Sequence, residues 1–223
     1  MNIAVAIDGP VGAGKSSIAR QAAKNLDFIY VDTGAMYRGI GLYAVRQGVV
    51  TTDAEKVNAL LPGIKLDIKI IDGTQRVFLN GEDVSEQIRL PEISMAASNV
   101  SAIPEVRAFL LDLQRGFAKT NNVIMDGRDI GTVILPDAKV KIYLTADAEV
   151  RAKRRYDELI AKGQDVKYED VLADLNQRDY NDMHRETAPL KVADDAVIAD
   201  TTELDFEQSC ALITKIIKEK AEI

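Results

Sequence analysis

Residues Ile3 to Leu26 read IAVAIDGPVGAGKSSIARQAAKNL. Ile3 to Ile7 is a short apolar run rich in β-branched residues that stops at the turn formers Asp8-Gly9-Pro10, the pattern of a buried parallel strand. Gly9 to Ser16, GPVGAGKS, then satisfies G-x-x-x-x-G-K-[ST] without a gap. Behind it Ile18, Ala19, Ala22, Ala23 and Leu26 recur at helical spacing, which predicts a helix from about Gly14 with one apolar face against a sheet. Strand, glycine loop and helix come in the order a phosphate-binding α/β core requires.

The residue types in the loop follow from chemistry. Backbone N–H groups can wrap a polyphosphate only where side chains do not block the approach, so Gly9, Gly12 and Gly14 open the path. The helix N-terminus adds partial positive charge. Lys15 reaches β- and γ-phosphates as a point charge, and the Ser16 hydroxyl suits Mg²⁺. A dinucleotide fingerprint fits less well, because Ser17 stands where a third glycine or alanine is wanted. The alternative is a glycine-rich turn that binds nothing.

A length of 223 residues suits one α/β domain with insertions, and the 47% hydrophobic, 28% charged composition is that of an ordinary globular protein. A net charge of −7 argues against a general nucleic-acid binder, since no broad basic surface is there to release counterions. Arginines must therefore act locally. One cysteine, Cys210, makes no internal disulfide, and a chain starting directly on a strand points to a reducing cytoplasm. No run approaches the ~18 apolar residues of a membrane span. The single His184 reads as a surface residue, since one His and one Cys make no zinc site.

Along the chain, Phe28 to Val31 is a second strand, closed by Asp32-Thr33-Gly34, and a helix follows from about Ala35 to Gln47. Thr33, Tyr37 and Arg38 then sit at the carboxyl end of that strand, where doubly wound sheets bind ligands. Arg38 is equally readable as a solvated helix residue. From about residue 63 to 88 the period changes: Ile64, Leu66, Ile68 and Ile70 alternate with polar residues, Asp72-Gly73 and Asn80-Gly81 mark turns, and a small antiparallel insertion is predicted. Helices resume at Pro91 and Pro104, carrying Ser98 and Arg107. Val123 to Asp126 is a third buried strand ending in an acid that can meet Mg²⁺, followed by the glycine-flanked loop Gly127 to Thr132. There Arg128 and Asp129 either grip a phosphate and a hydroxyl or pair with each other. Val140 to Leu144 is a fourth strand. Arg151, Arg154 and Arg155 share a helical face, which reads as an anion surface or as a solvated charged one. Arg178, Asp182 and Arg185 align on the next helix; a fifth strand, Ala196 to Ala199, and a closing helix, Phe206 to Ala221, complete a parallel three-layer α/β domain.

As a set, DGPVGAGKSS (8–17), DTGAMYR (32–38), DGRDIGT (126–132) and RDYNDMHR (178–185) resemble the bacterial cytidylate kinase family over nearly the whole chain. The resemblance implies a P-loop kinase fold with strand order 2-3-1-4-5 and a core of residues 1–32, 104–148 and 166–223. It further implies a monophosphate-binding region at 33–103 and a helical lid at 149–165. ATP would lie on Gly9, Pro10, Val11, Gly12, Ala13, Gly14, Lys15, Ser16 and Ser17, with Mg²⁺ at Ser16 and Asp126. CMP or dCMP would be held by Thr33, Tyr37, Arg38, Ser98, Arg107, Arg128, Asp129, Arg178, Asp182 and Arg185. Asp182 with Arg178 would take the cytosine and sugar region, and Arg38, Arg107 and Arg128 the acceptor phosphate. Catalysis would fall to Lys15, Arg128, Asp129, Arg154, Arg155 and Arg185. No nucleic-acid polymer or membrane is expected as partner, and the expected state is a monomer.

Physically, phosphoryl transfer asks for positioning and charge neutralisation more than covalent help. Gly34, Gly127 and Gly163 read as hinges that would let flanking segments close and exclude water. A P-loop kinase for AMP, UMP or shikimate shares the donor loop and differs in the acceptor pocket. A nucleotide-binding switch is the other class, and no N-K-x-D guanine motif supports it.

Overall fold

The computed structural model describes residues 2–223. β1 (Ala4–Asp8) feeds the glycine loop, and α1 (Lys15–Leu26) starts on Gly14, whose φ of 80° only glycine adopts without strain. β2 (Ile29–Asp32) runs straight into α2 (Thr33–Arg46), which begins two residues earlier than the sequence reading because the Asp32 carboxylate caps it, accepting from the Ala35 N–H at 2.9 Å. Gly34 therefore lies in the first helical turn. A short α3 (Ala54–Leu60), capped by Asp53, was not anticipated.

β3 (Leu66–Ile71), β4 (Thr74–Leu79) and β5 (Glu82–Asp83) form the antiparallel insertion. α4 (Pro91–Ser101) and α5 (Pro104–Thr120) each place proline in the first turn, where its missing N–H goes unneeded. After β6 (Val123–Gly127), the segment that the sequence reads as a glycine-flanked loop contains a single π-type turn, Ile130–Ile134. At Gly127 a Cβ would stand 2.7 Å from Ile130 Cδ1 and 2.8 Å from Thr33 Oγ1, so glycine permits close packing there. β7 (Val140–Thr145), α6 (Ala148–Ala161), α7 (Tyr168–His184), β8 (Val197–Asp200) and α8 (Phe206–Ala221) follow. Gly163 just after α6 is left-handed (φ 74°) and faces open space, as expected of a helix-ending glycine.

The main sheet is five-stranded, ordered β2-β6-β1-β7-β8, and every pair is parallel. Counting these five strands alone along the chain, that order is 2-3-1-4-5. β1 sits at the centre, so its side chains are buried on both faces: Val5 and Ile7 pack with Ile18, Ala22, Ile213 and Ile217 from α1 and α8, while Ala6 packs with Val31, Met125, Met36 and Leu110. This second cluster continues into Leu66, Val77 and Leu79, so the insertion shares the core rather than standing apart. Its hairpin is also stitched to the sheet edge, since the Gln75 amide donates to the Asp32 carbonyl (3.0 Å) and accepts from the Asp32 N–H (2.8 Å). β1 is flanked by β6 on one side and β7 on the other, and the crevice at the strands' carboxyl ends beside such a central strand is where these sheets bind ligands. Among the described residues, no helix is long and apolar enough to cross a membrane.

Candidate active site

The glycine loop bridges β1 and α1 with little freedom. Gly9 is fixed by packing: a Cβ there would lie 2.0 Å from the Leu144 carbonyl oxygen of β7. Lys15, 6% exposed, curls back so that Nζ donates to the Pro10 carbonyl at 2.7 Å. Burial and the neighbouring Arg128 charge pull its pKa down to about 7, against the attraction of Asp126, Asp182 and Asp8. Ser16 Oγ donates to Asp126 Oδ2 at 2.8 Å, and Tyr30 Oη donates to the other carboxylate oxygen at 2.9 Å. Burial, and then the charge of Asp32, push Asp126 up to about 6. Two hard oxygen donors side by side, one a buried carboxylate, fit Mg²⁺ that takes its remaining ligands from phosphates and water. Among the described residues there is no group of three or more His, Cys, Asp or Glu that could hold a metal ion.

Asp8, which reads as a turn former in the sequence, is instead the last residue of β1. Its carboxylate accepts from the N–H groups of Ile130 (2.7 Å) and Gly131 (2.8 Å) and so pins the π-type turn beside the glycine loop. Burial raises its pKa to about 6, although the two amide bonds work the other way. That anchorage sets the Arg128-Asp129 segment.

Facing the loop is a wall of arginines held by carboxylates. Arg107, 8% exposed, reaches Asp129 and the Ser101 carbonyl (3.0 Å) and lies over the Tyr37 ring, 5.5 Å from its centroid. Arg185 stands 3.5 Å from Asp129 and donates to the Ala188 carbonyl from Nε and Nη2. Arg128 Nε donates to Asp182 at 2.6 Å, and Arg38 is paired with Asp32 at the same distance. Among the described residues Arg178 has one ion-pair partner, Asp174 at 3.7 Å; burial and repulsion from Arg128 lower its pKa. Asp182 stays low despite its burial because Arg128 and Arg185 face it. Among the described residues, the buried Arg38 Nε has no hydrogen-bond partner. An unmatched guanidinium donor and cations that repel one another, gathered on one side of the site, are groups that an anion could satisfy.

One cleft of about 1180 Å³ joins the two sides. Its lining includes the loop from Val11 to Ser17, Asp126, and every residue assigned from sequence to the monophosphate, Thr33 and Ser98 among them. Gly9 and Pro10 lie behind it. Thr33 is turned toward structure: its hydroxyl donates to the Asp126 carbonyl at 2.8 Å, fastening the start of α2 to β6. Arg151, Arg154 and Arg155 do not share one anion surface. Arg151 is buried with Asp179 and does not line the cleft; Arg154 donates to the Thr201 (2.7 Å) and Leu204 (3.0 Å) carbonyls; Arg155 pairs with Glu158 at 2.8 Å. Both Arg154 and Arg155 do line the cleft. Sequence reading missed Asp8, Tyr30, Asp32 and Asp179. A tyrosine in an otherwise apolar buried strand was the available signal for Tyr30, since its hydroxyl must find a partner.

The sequence profile of the family described as "Cytidylate kinase" matches residues 5–219. A cytidylate kinase of Caldicellulosiruptor saccharolyticus is 53% identical over 206 residues, covering 92% of this chain and 91% of its own length. That of Carboxydothermus hydrogenoformans is 48% identical over 221 residues, with 98% of this chain and 99% of its own covered. Among solved structures, a shikimate kinase from Bacteroides thetaiotaomicron aligns over 99% of both chains at 12% identity with a TM-score of 0.48, too loose a likeness to bear on substrate. The profile and the identities, over nearly all of its length, show that the chain belongs to the cytidylate kinase family.

Proposed function

We propose that the chain transfers the γ-phosphoryl group of ATP to the phosphate of CMP or dCMP, giving ADP and the nucleoside diphosphate. The observation that carries this reading is that the glycine loop and the arginine wall open onto the same cleft, so a donor and an acceptor phosphate ester can lie in line within it. Two such esters repel one another. Lys15 and the N-terminus of α1 take charge from the donor, and Arg38, Arg107 and Arg128 take it from the acceptor.

Each arginine of the wall already leans on an acid: Asp32 holds Arg38, Asp129 holds Arg107, and Asp182 holds Arg128. These partners orient the forks before substrate arrives, so less ordering remains to be done at binding. Asp182 and Arg178, one helical turn apart on α7, offer an acceptor and a donor to the edge of a cytosine. Mg²⁺, held at Ser16 and Asp126, would neutralise charge on the β- and γ-phosphates. With Lys15 near pH 7 in its free form, a phosphate beside Nζ restores the protonated lysine. Arg154 and Arg155, on α6 and lining the cleft, would join the transferring group once the lid at 149–165 closes, its outer part turning about the anchored Arg151. Tight closure excludes water as a competing acceptor. We read the working state as a cytoplasmic monomer.

An acceptor panel tests the proposal: CMP, dCMP, UMP, AMP and shikimate at fixed Mg-ATP, with products identified chromatographically. CMP and dCMP should be turned over fastest. Faster phosphorylation of AMP or shikimate would replace this reading with that of another small-acceptor kinase, and tight ATP binding with no transfer to any of them would make the chain a switch.

A further inference from the structure

Val11, in the glycine loop, has both its backbone N–H and its backbone carbonyl taken by side chains from outside the loop. Its N–H donates to Asp179 Oδ1 at 2.9 Å, and its carbonyl accepts from Arg151 Nη1 at 2.6 Å. Arg151 Nη1 also reaches Asp179 Oδ2 at 2.6 Å, and Arg151 Nε donates to the Ala146 carbonyl at 2.8 Å, just past the end of β7. Arg151 is 6% and Asp179 8% exposed, and neither lines the cleft. Arg151 comes from α6 and Asp179 from α7, so two helices distant in sequence converge on the backbone of a single loop residue. α6 and α7 press on the next residue as well: a Cβ on Gly12 would lie 3.1 Å from Leu175 Cδ1 and 3.3 Å from Arg151 Cβ.

We infer that Arg151 and Asp179 form a positioning pair for the phosphate donor, which fixes the Val11 backbone and thereby aims the rest of the glycine loop. The inference rests on the ATP-dependent kinase reading above. A glycine-rich loop is costly to order, because its residues give up the most conformational freedom. Clamping the two peptide groups on either side of the Val11 Cα, one by its N–H and the next by its C=O, removes that freedom before the nucleotide arrives and directs the following N–H groups, from Gly12 through Ser16, toward the cleft. The pair must be ionic to do this. The carboxylate offers two acceptor oxygens, one to Val11 and one to Arg151, while the planar guanidinium serves Val11, Asp179 and Ala146 together, which a lysine's single ammonium group does not reproduce. Asp179 is also flanked on α7 by Arg178 and sits one turn before Asp182, so the helix that carries the acceptor-side residues also holds the donor loop in place.

The test separates this from a mere strut. The double variant Arg151→Met/Asp179→Leu removes both charges together, which leaves no unpaired ion buried and favours a retained fold. Its ATP affinity, measured by isothermal titration calorimetry, is expected to fall about tenfold or more, and kcat/KM for ATP about a hundredfold, while KM for CMP and the unfolding temperature stay near those of the wild type. Arg151→Lys, which keeps the charge and loses the fork, is read by the same split and serves if the double variant does not fold. A folded variant with unchanged ATP affinity, or with ATP and CMP weakened equally, overturns the inference. Calorimetry on ATP involves no acceptor, so failure of the wild-type chain to phosphorylate CMP would count against the proposed reaction and leave this result to be read separately.

Discussion

Replacing Arg128 with alanine is the most informative single perturbation, because that guanidinium touches both halves of the site. Its Nε bonds Asp182 at 2.6 Å with the side chain 24% exposed, and it is, after burial, the largest influence holding the Lys15 pKa down. Losing one charge-assisted hydrogen bond costs about 1.5–3 kcal/mol of stability. The lower end applies, because Asp182 keeps Arg185 at 3.8 Å and so is not left unpaired. The effect on turnover is larger. A guanidinium on the transferring phosphoryl group contributes roughly 10³-fold or more to rate, which is about 4 kcal/mol of transition-state stabilisation. Lys15, freed from the repulsion, should become more basic. The assay is ADP release coupled to NADH oxidation with CMP varied at saturating ATP, joined to ATP calorimetry across pH 6 to 9. The account predicts kcat/KM for CMP down by about three orders of magnitude, ATP affinity nearly unchanged at neutral pH, and the alkaline loss of ATP binding displaced upward. A folded Arg128→Ala protein with CMP turnover close to the wild type would refute the reasoning.

Two further expectations concern the fold beneath the site. Gly9→Ala forces a methyl group against the Leu144 carbonyl at 2.0 Å, so β1 and β7 must part or the loop must shift; ATP binding should vanish, and a well-folded Gly9→Ala chain with normal ATP affinity would contradict this. In the native chain Asp8 has its pKa raised to about 6, so between about pH 4 and 6 the folded form holds a proton that the unfolded chain has released. Stability from this group is therefore fully present at low pH and declines as pH rises through 6. The loss between pH 5 and 7 is about 1 kcal/mol. Asp126 acts in the same sense, and Lys15, with its lowered value, works in the opposite sense only above pH 7. Urea denaturation at pH 5 and 7 checks the sign, and greater stability at pH 7 would refute it.

Residues whose role is fixed by local pattern were legible before any coordinates. The glycine loop announced its own strand and helix, and the alternation at Ile64 to Ile70 gave the insertion. What escaped depends on partners distant in sequence. Asp8, at the end of β1, bonds amides more than 120 residues away, and nothing in its neighbours marks it as more than a turn former. Asp179 lies between Arg178 and Asp182, and only the packing of α6 on α7 brings it to Val11, 168 positions earlier. Arg151, Arg154 and Arg155 share a helical face by spacing, yet tertiary contacts gave each its own acceptor. Asp32 was misread for a local reason: Asp-Thr-Gly suits a turn, but an aspartate with a free helix start behind it is also a strong cap, and the cap prevailed.

The central claim is that donor and acceptor sites share one cleft with their phosphates in line. Calorimetry with a bisubstrate compound, adenosine joined to cytidine through a 5′,5′-pentaphosphate, tests it most directly. If both ends engage at once, the second contact is intramolecular, and affinity should exceed that for CMP alone by about 10²-fold or more, with competition against both ATP and CMP. Binding no tighter than ATP, with CMP still able to bind, would place the two sites apart and contradict the account.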